Sequence, residues 1–223
     1  MYSFAQRPDT RAMDEPLYGH YLSITEAANY HPGAREILAH METDGKKVVR
    51  NILKEKSVPV LFLKHMTHHL QNLPDALLMG GKNIILTRNP AESIQSFSKV
   101  IDNPSLQDLG YKEQWSLLQK LKDLNADYWI TQRSTILKNP EKELKSICKW
   151  AGIPFYREML QWPAGPKSYD GVWAPHWYSN VHQSTGFLPY EEKRIGLPGM
   201  LKTLEEQCSV YYNKIKNDKK GQP

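Results

Sequence analysis

Two hydrophobic periods alternate along this chain. Short apolar runs of the kind that fill buried parallel strands occur at Val58 to Leu63 and at Ile84-Ile85-Leu86, and a third strand is predicted over Asp127 to Thr131. Between and after them the spacing is helical. Ile37, Leu38 and Met41 share one face over Pro32 to Met41, and Val48, Val49, Ile52 and Leu53 share another over Asp44 to Lys56. Ser105 to Leu124 reads as a long amphipathic helix interrupted near Gly110. Leu144, Ile147, Cys148 and Ala151 form the apolar face of a helix that Asn139-Pro140 opens and Gly152 closes, and Met200 to Ile215 reads as the last helix. Met1 to Gln6 is predicted helical and stopped by Arg7-Pro8-Asp9. Thr10 to Leu17 is extended despite carrying Asp14-Glu15-Pro16, and Tyr18, His20 and Tyr21 follow as an aromatic stretch. Repeated strand-helix alternation predicts an α/β sheet with helices on both faces.

The stretch from Asn83 to Val100 joins a strand to a helix with no slack. Asn89 suits an N-cap, Pro90 the first helical position, and Glu92 the place from which a capping-box carboxylate reaches back. Arg88 stands where the strand ends and the helix begins, the place where open α/β sheets bind ligands and helix amides favour an anion. The same residues also fit a plain helix cap beside a surface arginine. Lys64 and His65 end the preceding strand in the same polar way.

Composition narrows the classes. The chain has 223 residues, 40% of them hydrophobic, enough for one sizeable core, and a single domain is expected over 1–215 with a basic tail at 216–223. The formal charge of +5 fits an anionic ligand without demanding nucleic acid. Cys148 and Cys208 lie in apolar helical patterns and are expected to be buried, which fits a reducing, cytoplasmic setting. No apolar run is long enough to span a bilayer and no signal pattern opens the chain, so no membrane association is expected. His65-x-x-His68-His69 lacks the glutamate of a zincin pattern, Met66 standing beside the first histidine, and no metal is expected. Trp162 to Phe187 follows neither period and reads as a long ordered loop, held by its aromatic residues.

Arg88, Asn89-Pro90 and Ser96, with serine eight residues after arginine, resemble the 3′-phosphate-binding element of sulfotransferases that use 3′-phosphoadenosine 5′-phosphosulfate. Lys64-His65 resembles that family's Lys-Thr-His, His65 lying 23 and His68 20 residues before Arg88. Ile136 to Gly152 resembles the segment in which a Tyr-Glu-Asp-Leu run precedes a helix, with Arg133 and Ser134 where Tyr-Glu would be. Pro166 to Trp177 resembles the late Arg-Lys-Gly loop, keeping Lys167, Gly171, Trp173 and His176 and losing the arginine and the first glycine. The resemblance spans roughly Thr10 to Phe187. It implies a three-layer, P-loop NTPase-like parallel sheet flanked by helices, and the Ser/Thr-rich loop that holds the 5′-phosphosulfate is not found. The expectation is therefore an N-terminally truncated domain lacking its first strand.

The resemblance implies sulfuryl transfer from 3′-phosphoadenosine 5′-phosphosulfate to a hydroxyl or amine of a small-molecule acceptor. His65 is then the first candidate for the base that removes the acceptor proton, His68 the second, and Lys64 a candidate to neutralise the leaving oxygen. Arg88 and Ser96 are the candidate ligands of the 3′-phosphate, with Arg133 and Lys167 behind them and Trp173 a candidate to stack on adenine. The alternative expectation is a non-catalytic module that keeps the nucleotide half-site or only the fold.

Overall fold

The computed structural model describes residues 1–192 and 195–218. The chain divides into two compact units, Met1–Leu77 with Phe155–Leu188 and Leu78–Pro154 with Pro189–Pro223.

In the first unit β1 (Thr10–Asp14) runs parallel to β2 (Val60–Lys64), paired from Thr10↔Val60 to Asp14↔Lys64. A parallel pair needs a crossover, and here it is built from α1 (Tyr18–Ser23), α2 (Ala34–His40) and α3 (Gly45–Lys54). Asp44 starts α3 by accepting from the free amides of Lys46 and Lys47, and Val48, Val49 and Ile52 turn the apolar face of that helix onto Leu17. The aromatic stretch after Pro16 is a helix with its rings inside. Tyr18 and Tyr21 pack with Leu22, Ile37 and Trp173. Only Phe4–Gln6 of the expected N-terminal helix forms, as one 3-10 turn, and Phe4 stacks on Phe62 of β2 with ring centroids 4.3 Å apart.

A single turn, α4 (Ala76–Met79), leads into the second unit. There β3 (Asn83–Thr87) pairs in parallel with β4 (Tyr128–Gln132), from Asn83↔Tyr128 to Thr87↔Gln132. Its crossover is α5 (Pro90–Phe97), α6 (Leu106–Leu109) and α7 (Tyr111–Asp123). The break between α6 and α7 falls at Gly110, whose φ of 67° is left-handed and suits glycine. Next come α8 (Arg133–Lys138) and α9 (Pro140–Ala151), the latter capped by Asn139. Ile85, Ile130, Leu118 and Leu121 close on Ile215 of the last helix, to form the core of this unit.

Between these, the segment predicted as loop holds two single turns, α10 (Ala174–Trp177) and α11 (Ser179–His182), and a bridge pairing Gln161 with Gly186. The last helix is α12 (Gly199–Lys216). The basic tail expected from residue 216 begins differently: Lys216 is helical and the Asp218 carboxylate is buried in an ion pair with Lys122, while residues 219–223 lie outside the described part.

The class is α/β with parallel strands flanked by helices. The strands form two two-stranded ladders, β1 with β2 and β3 with β4, where the sequence predicts one continuous sheet. Each crossover returns the chain beside the strand it has just left. Cys148 and Cys208 are both buried, as expected of small apolar side chains. No helix among the described residues is long and apolar enough to cross a membrane.

Close approach fixes one glycine. A Cβ on Gly171 would stand 2.1 Å from the Trp173 ring, itself 2% exposed and unable to retreat. Gly171→Ala is expected to cost about 1–3 kcal/mol through overpacking, read as a lower urea midpoint with an unchanged slope.

Candidate functional site

Each unit gathers charged residues at the carboxyl ends of its strands. In the second unit the register ends at Thr87↔Gln132, so Arg88 and Arg133 each follow the last paired residue. Asn89 caps α5 as its sequence predicts, its Oδ1 accepting from the amides of Ala91 at 3.0 Å and Glu92 at 3.4 Å. Glu92 does not complete a capping box. Its Oε2 accepts instead from Arg88 Nε at 3.0 Å and from Arg133 Nη1 at 2.9 Å. Two guanidinium groups outcompete one backbone amide for a carboxylate, because charge-assisted bonds are the stronger. The Glu92 side chain is 9% exposed, those of Arg88 and Arg133 34% and 40%.

The main chain at this corner is fixed as well. The Tyr111 hydroxyl lies 2.8 Å from the Arg88 carbonyl and 2.8 Å from Ser93 Oγ, and burial raises its pKa above the ordinary tyrosine value. Ser96 is exposed two turns into α5. The Lys138 ammonium sits 5.3 Å from the centre of the Tyr190 ring.

The first unit builds a denser cluster around Lys64. The ladder sets Asp14 opposite Lys64, and the next amide, that of Glu15, donates to the Lys64 carbonyl at 2.8 Å. Glu15 reaches that bond with φ at 42°, a left-handed conformation that costs a non-glycine residue about 1–3 kcal/mol and persists only where its surroundings hold it. The Lys64 ammonium is ion-paired with Glu15 and lies 3.4 Å from Asp14 Oδ1. It also donates to the Tyr178 hydroxyl, which in turn donates to the Asp14 carboxylate at 2.7 Å. Burial works to lower the Lys64 pKa, but Glu15, Tyr178 and Asp14 outweigh it and hold the ammonium charged. Burial raises the Glu15 carboxyl, against the pull of Lys64.

His65 stands next to this cluster with neither ring nitrogen in a hydrogen bond and both out of contact with water. Burial and then the Lys64 charge push its pKa down to about 4, so the ring is neutral at pH 7. His68 is in the core, 3% exposed, its ring 4.9 Å from that of Tyr21 and 4.7 Å from that of His69.

The late loop spends its candidates on itself. Lys167 Nζ donates to the carbonyls of Ala164 at 3.0 Å and Gly165 at 2.8 Å, and its amide donates to Asp170. Trp173, proposed for stacking on adenine, packs edge-on against Tyr18 in the core at 5.0 Å. A side chain so enclosed is structural packing in this conformation. Among the described residues no group of three or more His, Cys, Asp or Glu is arranged to hold a metal ion.

Sequence reasoning thus names Arg88, Arg133 and Ser96 in one unit and Lys64, His65, His68, Lys167 and Trp173 in the other. It misses Glu92 as the partner of both arginines, and Asp14, Glu15 and Tyr178 as partners of Lys64. Asp14-Glu15-Pro16 carried a usable signal: two carboxylates at the end of an extended segment, facing a strand that ends in lysine. For Tyr178, 114 residues from Lys64, no local pattern exists.

The family model for the sulfotransferase domain matches residues 1–216. The chain belongs to that family. Among curated relatives it is 39% identical over 218 residues to branched-chain-amino-acid aminotransferase-like protein 2 of Arabidopsis thaliana, covering 96% of this chain and 38% of that protein. It is 41% identical over 189 residues to the plant's aminotransferase-like protein 1, covering 84% of this chain and 34% of that protein. The chain therefore spans less than two fifths of either relative's length. Among solved structures it is similar to the sulfotransferase domain from the curacin biosynthetic pathway, at 16% identity and a TM-score of 0.45, covering 84% of this chain and 75% of that one. It is also similar to the sulfotransferase domain of the Synechococcus PCC 7002 olefin synthase, at 16% identity and a TM-score of 0.47, covering 91% and 95%.

The state of His65 has a consequence for stability. The unfolded chain protonates this side chain near pH 6.5 and the folded chain only near pH 4, so protons between those values favour unfolding. The contribution is fully present above pH 6.5 and lost as pH falls through 4. His65→Gln is expected to flatten the fall of Tm across that window, measured by calorimetric scans at closely spaced pH.

Proposed function

We propose that this chain is the nucleotide-binding and proton-transfer part of a sulfotransferase that moves a sulfuryl group from 3′-phosphoadenosine 5′-phosphosulfate to a hydroxyl or amine of a small acceptor. The observation that carries the reading is Arg88. It stands at the carboxyl end of β3 directly before a capped helix, and Glu92 holds it through Nε, which leaves its Nη pair for a second acceptor. Arginine's fork matches two phosphate oxygens, and Ser96 offers a hydroxyl from the same helix.

On this reading the acceptor proton goes to the neutral His65 ring once its nitrogens, out of contact with water in this conformation, are uncovered, as the acceptor oxygen or nitrogen bonds to sulfur and the bridging bond to the nucleotide phosphate breaks, with that bond's electron pair leaving on the phosphate. Lys64, kept charged by its carboxylates, stabilises the negative charge that develops.

Arg88→Ala is expected to remove the heat of binding of adenosine 3′,5′-bisphosphate in titration calorimetry, and binding that survives the substitution would refute Arg88 as the phosphate ligand. His65→Ala is expected to lower sulfuryl transfer about 100- to 10,000-fold where transfer is measured, and an unchanged rate removes it as the base.

A second reading is favoured by one observation: Lys64 is already committed to Asp14 and Glu15, and Lys167 to its own loop carbonyls. On that reading the chain binds the nucleotide without transferring sulfate. Bisphosphate binding that depends on Arg88, with no transfer to any hydroxyl or amine acceptor, is the result it expects.

A further inference from the structure

A carboxylate about nine-tenths buried behind two half-exposed arginines is a particular arrangement at an anion site. By charge alone Glu92 repels the ligand that Arg88 is there to hold. Its geometry argues for a different effect. One oxygen, Oε2, accepts from both guanidinium groups, from Arg88 through Nε and from Arg133 through Nη1. A bond to Nε fixes the plane of the Arg88 fork and turns its Nη pair away from the carboxylate. The bond to one Nη of Arg133 leaves that residue's Nε and other Nη. The carboxylate is the least exposed of the three side chains, so it lies behind, with the arginines on the solvent side.

The strands supply the rest of the placement. Arg88 and Arg133 follow paired residues of a parallel ladder and so leave neighbouring strands at the same level. The Arg88 main chain is tied down by Tyr111, and Arg133 opens α8. Long arginine side chains lose much freedom on binding a ligand, and a carboxylate that orders them beforehand removes part of that loss.

We propose that Glu92 is the positioning residue of a two-arginine phosphate receptor in which Arg133 is the second cationic ligand beside Arg88, selecting a doubly charged phosphomonoester. With one carboxylate behind two guanidinium groups the trio carries a net single positive charge, and both forks present an edge to the ligand. The inference rests on the nucleotide reading given above and adds to it the residue that holds the arginines and the one that shares the phosphate.

The test uses the whole chain and two probes, adenosine 3′,5′-bisphosphate and adenosine 5′-monophosphate, whose ratio of affinities by calorimetry reads the 3′-phosphate alone. Glu92→Ala is expected to lower that ratio about tenfold or more, as is Arg133→Ala. Glu92→Gln, which keeps the shape and an acceptor oxygen, is expected to restore part of it and carries the test should the alanine variant fail to fold. Charge repulsion predicts the opposite sign. A ratio that rises in both Glu92 variants makes Glu92 a competitor of the ligand, and a ratio unchanged in both makes it a structural ion pair only; either overturns the proposal. A wild-type ratio near one, or one that Arg88→Ala leaves intact, brings down the nucleotide reading itself and this proposal with it.

Discussion

Parallel pairing is the constraint on which the other features depend. A parallel ladder sends both strands out of the sheet at the same end, and its register decides which residues leave side by side. In the first unit Asp14 pairs with Lys64, so the ladder itself sets a carboxylate beside an ammonium, with Glu15 one residue beyond. In the second, Thr87 pairs with Gln132 and two arginines follow. Two like charges brought together in this way need a counter-ion, and Glu92, one turn into the helix that β3 enters, supplies it.

Burial then decides what each group can do. Charges withdrawn from water must be paired, which is why Lys64 is ringed by Asp14, Glu15 and Tyr178 and why its ammonium stays charged despite burial. A histidine beside such an ammonium responds in the opposite sense: it sheds its proton and stands neutral with both ring nitrogens unused. The aromatic residues around α1 are the other product of burial. Tyr18 and Tyr21 stack on His69 at 4.5 and 4.7 Å, and Tyr18 bonds His31 Nδ1 at 2.7 Å, so the histidines of this region are largely core. His68 belongs with them, and His65, at the strand end, does not.

Local signals were legible in the sequence wherever a few neighbouring residues carry the physics. The Asn89-Pro90 and Asn139-Pro140 helix starts, the break at Gly110 and the strands ending at Lys64 and Thr87 follow from caps, glycine and apolar runs, all acting within one or two turns. Arg88 was legible for the same reason, because the turn that presents it is local. Glu92 was misread for want of tertiary information. Its capping-box role is the choice a lone helix would make, and Arg133, 41 residues away, changes the choice.

What the sequence by itself determined is thus the strands β2, β3 and β4, the helices α2, α3, α5, α7, α9 and α12, the α/β class and the arginine at the head of α5, while α1, α4, α8, α10 and α11 appeared only in the structure. The tertiary structure alone decided which strands pair, that the four form two ladders, that Lys167 folds back on its own loop and that Trp173 is core. The reason is range. Caps and periodicity act between residues three or four apart, whereas the partners of a buried charge are chosen by strand register and burial, from residues as distant as Lys64 and Tyr178.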